Sequence, residues 1–100
     1  MTLEEIKTLF QTDALKELCR QNDVTRLEVF GSTARNEANE DSDLNLLVSF
    51  AKPKGFFEFC ALEIKLEQAT LHKIDLATES SLRGRRGEHI RRDLQVIYVA

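Results

Sequence analysis

The sequence predicts a small α/β or α+β fold, one sheet packed by helices. Three observations carry that reading. Apolar residues recur at helical spacing through residues 3–21 and again through 56–70. Three short runs, TRLEVF, LNLLVSF and HKIDLAT, have the length and composition of strands. Polar or proline-bearing segments, NEDSD and AKPKG, separate them. The predicted order is helix, strand, short helix, strand, helix, strand, helix.

The first helical stretch runs from Leu3 to Gln21, with Leu3, Ile6, Phe10, Ala14, Leu15, Leu18 and Cys19 on its apolar face. Thr12 or Asp13 can cap a fresh helix, so a break is expected there. Thr25 to Phe30 alternates Leu27 and Val29 with polar neighbours and reads as a strand. Gly31-Ser32 ends it, STARNEA has short helical character, and NEDSD is a polar turn. Leu44 to Phe50 is nearly continuous in apolar residues, the pattern of a central strand covered on both faces. AKPKG is a loop holding the only proline. Phe56 to Thr70 reads as a helix whose apolar stripe runs through Phe56, Phe59, Cys60 and Ile64, with Glu63 and Glu67 among the residues that define its faces. His72 to Thr78 is a third strand. Ser80-Ser81-Leu82 leads into an Arg-rich turn, RGRRG, and a last helix is expected from near Glu88, carrying Ile90, Leu94 and Ile97.

One hundred residues fit a single domain over 1–100. A chain of this length buries roughly 65% of its unfolded surface, enough for one modest core. With 42% hydrophobic and 31% charged residues the composition is globular rather than disordered. A net charge of -3 gives no global attraction to nucleic acid. The acidic start MTLEEIKTLF does not read as a signal peptide, and no apolar run has the length of a membrane span. Cys19 and Cys60 lack metal-ligand spacing and read as buried small hydrophobes in a reducing compartment, so the expected location is the cytoplasm.

The chemistry concentrates in VFGSTARNEANEDSDLNLLVSF, residues 29–50. A glycine at a strand end lets a ligand approach the backbone closely. A helix starting there would aim its free N–H groups and positive end at the same place, and Ser32 adds a hydroxyl. Taken alone, a Gly-Ser at such a turn is most often a turn with a helix cap. Asp43 and Asn45, two residues apart on a strand, project from one face. Asp75 sits between Ile74 and Leu76. If the second and third strands are neighbours, it can meet Asp43 and Asn45. This reads as a buried strand acid, which is costly without a partner and so calls for a metal, a donor or a basic partner. Carboxylates beside a phosphate cradle are what Mg²⁺-dependent phosphoryl chemistry requires.

The run GSTARNEANEDSDLNLLVSF closely resembles the signature of the minimal nucleotidyltransferases, the MNT-type members of the DNA polymerase beta-like superfamily: Gly-Ser, a spacer of ten residues, then Asp-x-Asp. Phe30 precedes the pair, Ala34-Arg35 follows it, and Asn36 stands where the family usually has glycine, a position Asn tolerates in the left-handed conformation. Asp75 in KIDLAT matches the third acid. The resemblance extends from about Leu15 to the C-terminus. It implies a mixed sheet of the polymerase-beta palm type, with ATP held by Gly31, Ser32, Arg35 and Mg²⁺. It implies two metal ions held through Asp43, position 45 and Asp75, with Asp75 also helping to deprotonate the acceptor. The implied reaction is attack of an acceptor hydroxyl on the α-phosphate. The implied partner is a HEPN-domain RNase toxin, modified on a tyrosine by an antitoxin of this type.

Asn45 departs from that pattern. It is isosteric with Asp but neutral, and a bridging carboxylate is hard to replace in two-metal catalysis. Losing charge stabilisation of this kind costs about 3–4 kcal/mol, a rate loss of several hundred-fold. A single introduced Asp-to-Asn change, a natural pseudoenzyme that keeps binding without transfer, and a tolerated residue with weakened activity all fit. The competing class is therefore a non-catalytic binding module. A template-directed polymerase or an antibiotic-modifying transferase would be expected to bring a second domain, and no stretch here reads as one.

Other residues have plainer readings. Asp43 can be an Asx-turn residue after Asp41-Ser42. Arg35 can be an exposed charge. His72 and His89 read as surface histidines, and Glu37, Glu40 and Asp41 as a solvated turn adding negative potential. Arg83, Arg85, Arg86, Arg91 and Arg92 form either a solvated face or a basic patch for a triphosphate or an acidic partner surface. No aromatic residue interleaves them, which speaks against RNA. Phe56 and Phe59 are expected in the core. Phe57, out of phase with them, is a candidate partner contact.

Overall fold

Each of the first two helices begins where a threonine can occupy unpaired N–H groups. Helix α1 (Leu3–Leu9) starts with a reciprocal box: the Glu5 N–H donates to Thr2 Oγ1 at 3.2 Å, and the Thr2 N–H donates to Glu5 Oε1 at 3.0 Å. Helix α2 (Asp13–Gln21) is capped by Thr12, so the break falls where the sequence placed it. Strand β1 (Val24–Phe30) and strand β2 (Leu44–Phe50) follow, then helix α3 (Phe56–Thr70) and strand β3 (Ile74–Thr78). A 3-10 turn over Glu79–Ser81, helix α4 (Gly84–Asp93) and strand β4 (Gln95–Val99) complete the chain. The computed structural model describes residues 1–82 and 84–100 and, at residue 86, the backbone. Among the described residues, no helix is long and apolar enough to cross a membrane.

The four strands lie in the order β3-β2-β1-β4. The pairs β1/β2 and β1/β4 are antiparallel and β2/β3 is parallel, so the sheet is mixed, as expected. The parallel pair needs a crossover, and α3 supplies it. On one face, α1, α2 and α3 close the main core, in which Ile6, Phe10, Leu27, Leu46 and Leu66 are fully buried. The other face is covered less: Phe30 and Leu47 pack with Leu82 under Ile90 and Leu94, around α4. Strand β2 is central and covered on both faces by these two clusters.

Four expectations need correction. The helix after Gly31-Ser32 is a single turn. The Arg35 N–H donates to the Gly31 carbonyl at 3.2 Å; the chain then closes with Glu37 N–H to Ser32 O at 2.8 Å and Asn36 N–H to Thr33 O at 3.1 Å. That pair of bonds is a Schellman stop, and Asn36 takes the left-handed conformation it demands, φ 58°. Second, RGRRG is not a turn: from Gly84 it is the start of α4, while Arg83 lies outside the described residues.

Third, the last helix does not run through Leu94 and Ile97. It ends at Asp93, and the β-branched and aromatic run Val96-Ile97-Tyr98-Val99 pairs with β1 instead. Leu27 faces Tyr98 and Glu28 faces Val96, leaving Ile97 as an extra residue. This bulge explains how the consecutive Ile97 and Tyr98 are both buried. Fourth, α3 is rotated by roughly a quarter of a turn from the expected stripe. Its buried positions are Leu62, Leu66 and Thr70, with Phe59 partly buried against them. Phe56 is 76% exposed and Ile64 53% exposed, and Cys60 is half-buried. Phe57 is exposed at 86%, as its phase suggested.

Asn36 does a second job that glycine could not: its Oδ1 accepts the Leu3 N–H at 3.0 Å, tying the turn after Gly31-Ser32 to the start of α1. Replacing Asn36 by Ala removes that bond and places a Cβ in the left-handed region, which should cost about 2 kcal/mol of stability. Asn36→Gly removes the bond alone and should cost less than half as much, as read from urea unfolding midpoints at constant slope.

Candidate nucleotidyl-transfer site

The register of the sheet sets three side chains in one row. Phe30 on β1 pairs with Asn45 on β2, and Asn45 pairs with Asp75 on β3. Neighbouring strands lie about 4.8 Å apart, so the row spans about 10 Å. It belongs to the less covered face, since Leu44, Leu46, Ile74 and Leu76 all turn the other way into the main core. Asp43, two residues before Asn45, precedes β2 at the same end. Asp43 and Asp75 are both exposed and Asn45 is half-buried.

Asp75 is therefore not the buried strand acid that the sequence suggested. Alternation sends Ile74 and Leu76 inward and leaves Asp75 facing solvent on the open face. Asp43 is not an Asx-turn residue either. Asn39 makes that turn, its Oδ1 accepting the Asp41 N–H at 2.9 Å, with the Ser42 hydroxyl accepting the Asn39 N–H at 3.0 Å.

Gly31 touches this row directly. Its φ is +78°, and a Cβ built on it would lie 2.7 Å from Asn45 Nδ2. The glycine is thus required twice, by its backbone angles and by the Asn45 amide packed against it. The turn beyond keeps its early N–H groups for an outside acceptor: Arg35 is the first whose N–H pairs back within it. Ser32 is half-buried beside them. A cradle for oxyanions is present, but with one helical turn behind it the macrodipole contribution expected from a longer helix is small.

Arg35 is engaged within the chain. Its Nε donates to Glu37 Oε2 at 3.0 Å and its Nη1 to Asp93 Oδ2 at 2.5 Å. These bonds, the Glu37 bond first, hold its pKa above the ordinary guanidinium value, so it is a fixed positive charge at the end of the cradle. Asp93, the last residue of α4, was missed by the sequence reading. It lies 58 positions from Arg35, and no spacing rule links the two.

The donor set offers two carboxylates and one amide oxygen. Among the described residues, no three His, Cys, Asp or Glu side chains gather in a way that could hold a metal ion. Hard oxygen donors of this kind suit a divalent cation such as Mg²⁺, and with the amide neutral the set carries two negative charges rather than three. Asp75 also lines a cleft of about 350 Å³ with Phe30, Phe59, Ser81, Leu82 and Ile90. The larger cleft, about 670 Å³, surrounds Lys52, Lys54 and Phe56 at the far end of β2, away from the polar row.

Of the arginines in the basic stretch, Arg85, Arg91 and Arg92 are exposed, and Arg91 pairs with Glu79 at 3.4 Å. Arg83 and the Arg86 side chain lie outside the described residues. His89 is exposed and His72 half-buried.

Comparison with known proteins agrees with this geometry. Residues 12–97 match the family described as nucleotidyltransferase domain. The protein adenylyltransferase MntA of Thermococcus cleftensis is 38% identical over 99 residues, which are 99% of this chain and 97% of that protein. A solved structure assigned as a minimal nucleotidyltransferase superposes with a TM-score of 0.74 at 34% identity, over 99% of this chain and 97% of that one. A chain from a Shewanella oneidensis complex of a tri-AMPylated HEPN toxin with an MNT antitoxin superposes with a TM-score of 0.66. At 16% identity, over 99% of this chain and 74% of that one, it shows the fold alone. With the Gly-Ser turn, the row ending in Asp75 and the mixed sheet in place, the chain belongs to the nucleotidyltransferase domain family, as an MNT-type member.

Proposed function

We propose that this chain is an antitoxin-type protein adenylyltransferase, moving AMP from ATP to a tyrosine hydroxyl of a HEPN RNase toxin, with the reaction weakened by Asn45. The observation that carries the proposal is the single row Phe30–Asn45–Asp75 lying beside Gly31 and Ser32 on an accessible sheet face. The named relative MntA and the HEPN–MNT complex support the acceptor class.

In this scheme the N–H groups and hydroxyl of the Gly31-Ser32 turn hold phosphate oxygens, and Arg35 adds its charge. The acceptor oxygen attacks the α-phosphorus. A new O–P bond forms, the bond from the α-phosphorus to the bridging oxygen breaks, and pyrophosphate leaves in line. The hydroxyl proton passes to the Asp75 carboxylate. Asp43, Asp75 and the Asn45 amide oxygen would hold Mg²⁺, which would supply neutralisation of the charge developing on the phosphoryl oxygens. The expected setting is the cytoplasm, where ATP and Mg²⁺ are supplied.

The neutral Asn45 favours one second reading: a pseudo-nucleotidyltransferase that binds its toxin and blocks it without transfer. A mass spectrum of a HEPN toxin that binds this chain separates the two. After incubation with ATP and Mg²⁺, the Asn45→Asp chain should add AMP at least about a hundredfold faster than the parent. Binding of the toxin by both chains without any AMP added by either would leave only the binding reading.

Arg35 gives a further test. To reach a triphosphate it must let go of Asp93, a partly exposed pair worth about 0.2–1 kcal/mol. Asp93→Asn should therefore tighten ATP binding by up to about fivefold by calorimetry, and Arg35→Gln should weaken it. Unchanged ATP affinity in both variants would remove Arg35 from the nucleotide site.

A further inference from the structure

Strand β3 is an outer strand, and an outer strand leaves alternate N–H groups without a sheet partner. Here those groups are taken by carboxylates. The Ile74 N–H donates to Glu67 Oε2 at 3.0 Å, and the Leu76 N–H donates to Glu63 Oε2 at 3.0 Å. These are the two N–H groups that flank Asp75. Both glutamates are half-buried, on the border of the α3 face that packs into the core.

The fit follows from the two repeat lengths. Four residues of helix rise about 6 Å, and two residues of strand rise about 6.6 Å. Carboxylates at i and i+4 on a helix beside the strand therefore meet successive outward N–H groups. The order is reversed, Glu63 to residue 76 and Glu67 to residue 74, because a crossover helix runs opposite to the strand it returns to. Charged acceptors make stronger bonds to N–H groups than neutral ones do. The pair acts in place of a fifth strand.

We propose that Glu63 and Glu67 are positioning residues: acting through the β3 backbone, they hold Asp75 in line with Asn45 and Asp43. This rests on the reading of Asp75 as a site acid. Neither glutamate touches the ligand groups of the row. Their role is to fix the peptide on each side of Asp75, so that the carboxylate stays at one place on an edge that would otherwise fray.

The test uses the full chain carrying Asn45→Asp, alone and with Glu63→Ala, Glu63→Gln or Glu67→Ala. Amide exchange is read by NMR, Mn²⁺ affinity by line broadening at Asp43 and Asp75, and AMP transfer by kcat and KM. Glu63→Ala should speed exchange at Leu76 about tenfold and Glu67→Ala should do so at Ile74, with the Leu46 amide of β2 unmoved in both. Glu63→Ala should also weaken Mn²⁺ binding about tenfold and lower kcat with KM for ATP unchanged. Glu63→Gln, which keeps an acceptor oxygen, should restore all three.

A general loss of stability would instead speed exchange at Leu46 as well, and that result overturns the proposal. So does a Leu76 amide that exchanges freely in the parent, or faster exchange with Mn²⁺ affinity unmoved. If the Asn45→Asp chain binds Mn²⁺ but transfers no AMP, the transferase reading fails, and exchange with Mn²⁺ affinity still decides the role of the glutamates. A chain that binds no Mn²⁺ overturns both.

Discussion

In the ladder between β2 and β3, Asn45 lies beside Asp75, and on the other side of β2 it lies beside Phe30. Side chains alternate along a strand, so a slip of one residue in β3 would turn Asp75 into the apolar core and bring Ile74 or Leu76 to the open face. Ile74 and Leu76 are 3% and 6% exposed, and each contributes about 1.5–3 kcal/mol by staying buried. The polar row is thus fixed by apolar residues on the opposite face of the same strands. Asp75 contributes nothing to that register and depends on it entirely.

The open face has its own constraint. Helix α4 covers only part of it, through Ile90, with Leu94 just past the helix end, over Phe30, Leu47 and Leu82. Its first turns lie tight against the residue that leads into it: a Cβ on Gly87 would lie 2.6 Å from the Leu82 carbonyl oxygen. At its other end Asp93 reaches Arg35 beyond the Gly-Ser turn. The helix therefore leaves the row Phe30–Asn45–Asp75 at its border and ties down Arg35. Cover and site are two consequences of the same placement.

Much of this was legible in the sequence, and the reasons differ by residue. The strands Leu44 to Phe50 and Thr25 to Phe30 were marked by composition and bounded by turn residues, so their existence and nearly their ends were plain. Thr12 announced a cap by chemistry that depends on nothing distant. The site motif was legible because its spacing lies within one hairpin-like unit and its third acid in the next strand. What failed depended on tertiary packing. The α3 stripe was misread because Phe56, Cys60 and Ile64 share a face as good as the real one, and only the sheet decides which is buried. Strand β4 was hidden because Ile90, Leu94 and Ile97 also fit a helical period. Asp93 had no local signal at all. Glu63 and Glu67 had one: two acids four apart at the edge of an apolar helix face, a pattern that points to something specific beside them.

Asn45 can be weighed on the same geometry. An Asp there would put a third carboxylate in the group, about 5 Å across the ladder from Asp75. Two like charges at that distance repel by about 0.8 kcal/mol in water and by about 3 kcal/mol at the effective dielectric of a protein surface. Without a cation the Asp form carries that repulsion, and with one the repulsion becomes attraction for the ion. The amide escapes the first and forfeits the second. It also keeps the shape that packs against Gly31, on which a Cβ would lie 2.7 Å from the Asn45 amide nitrogen. Relative to an Asp at the same place, Asn45 therefore favours the ion-free fold, and an Asp would favour a bound cation, the usual direction of conflict between stability and activity at a charged site. A protein that must hold its partner more than turn over substrate loses little by it, whereas an enzyme loses the charge that its transition state needs.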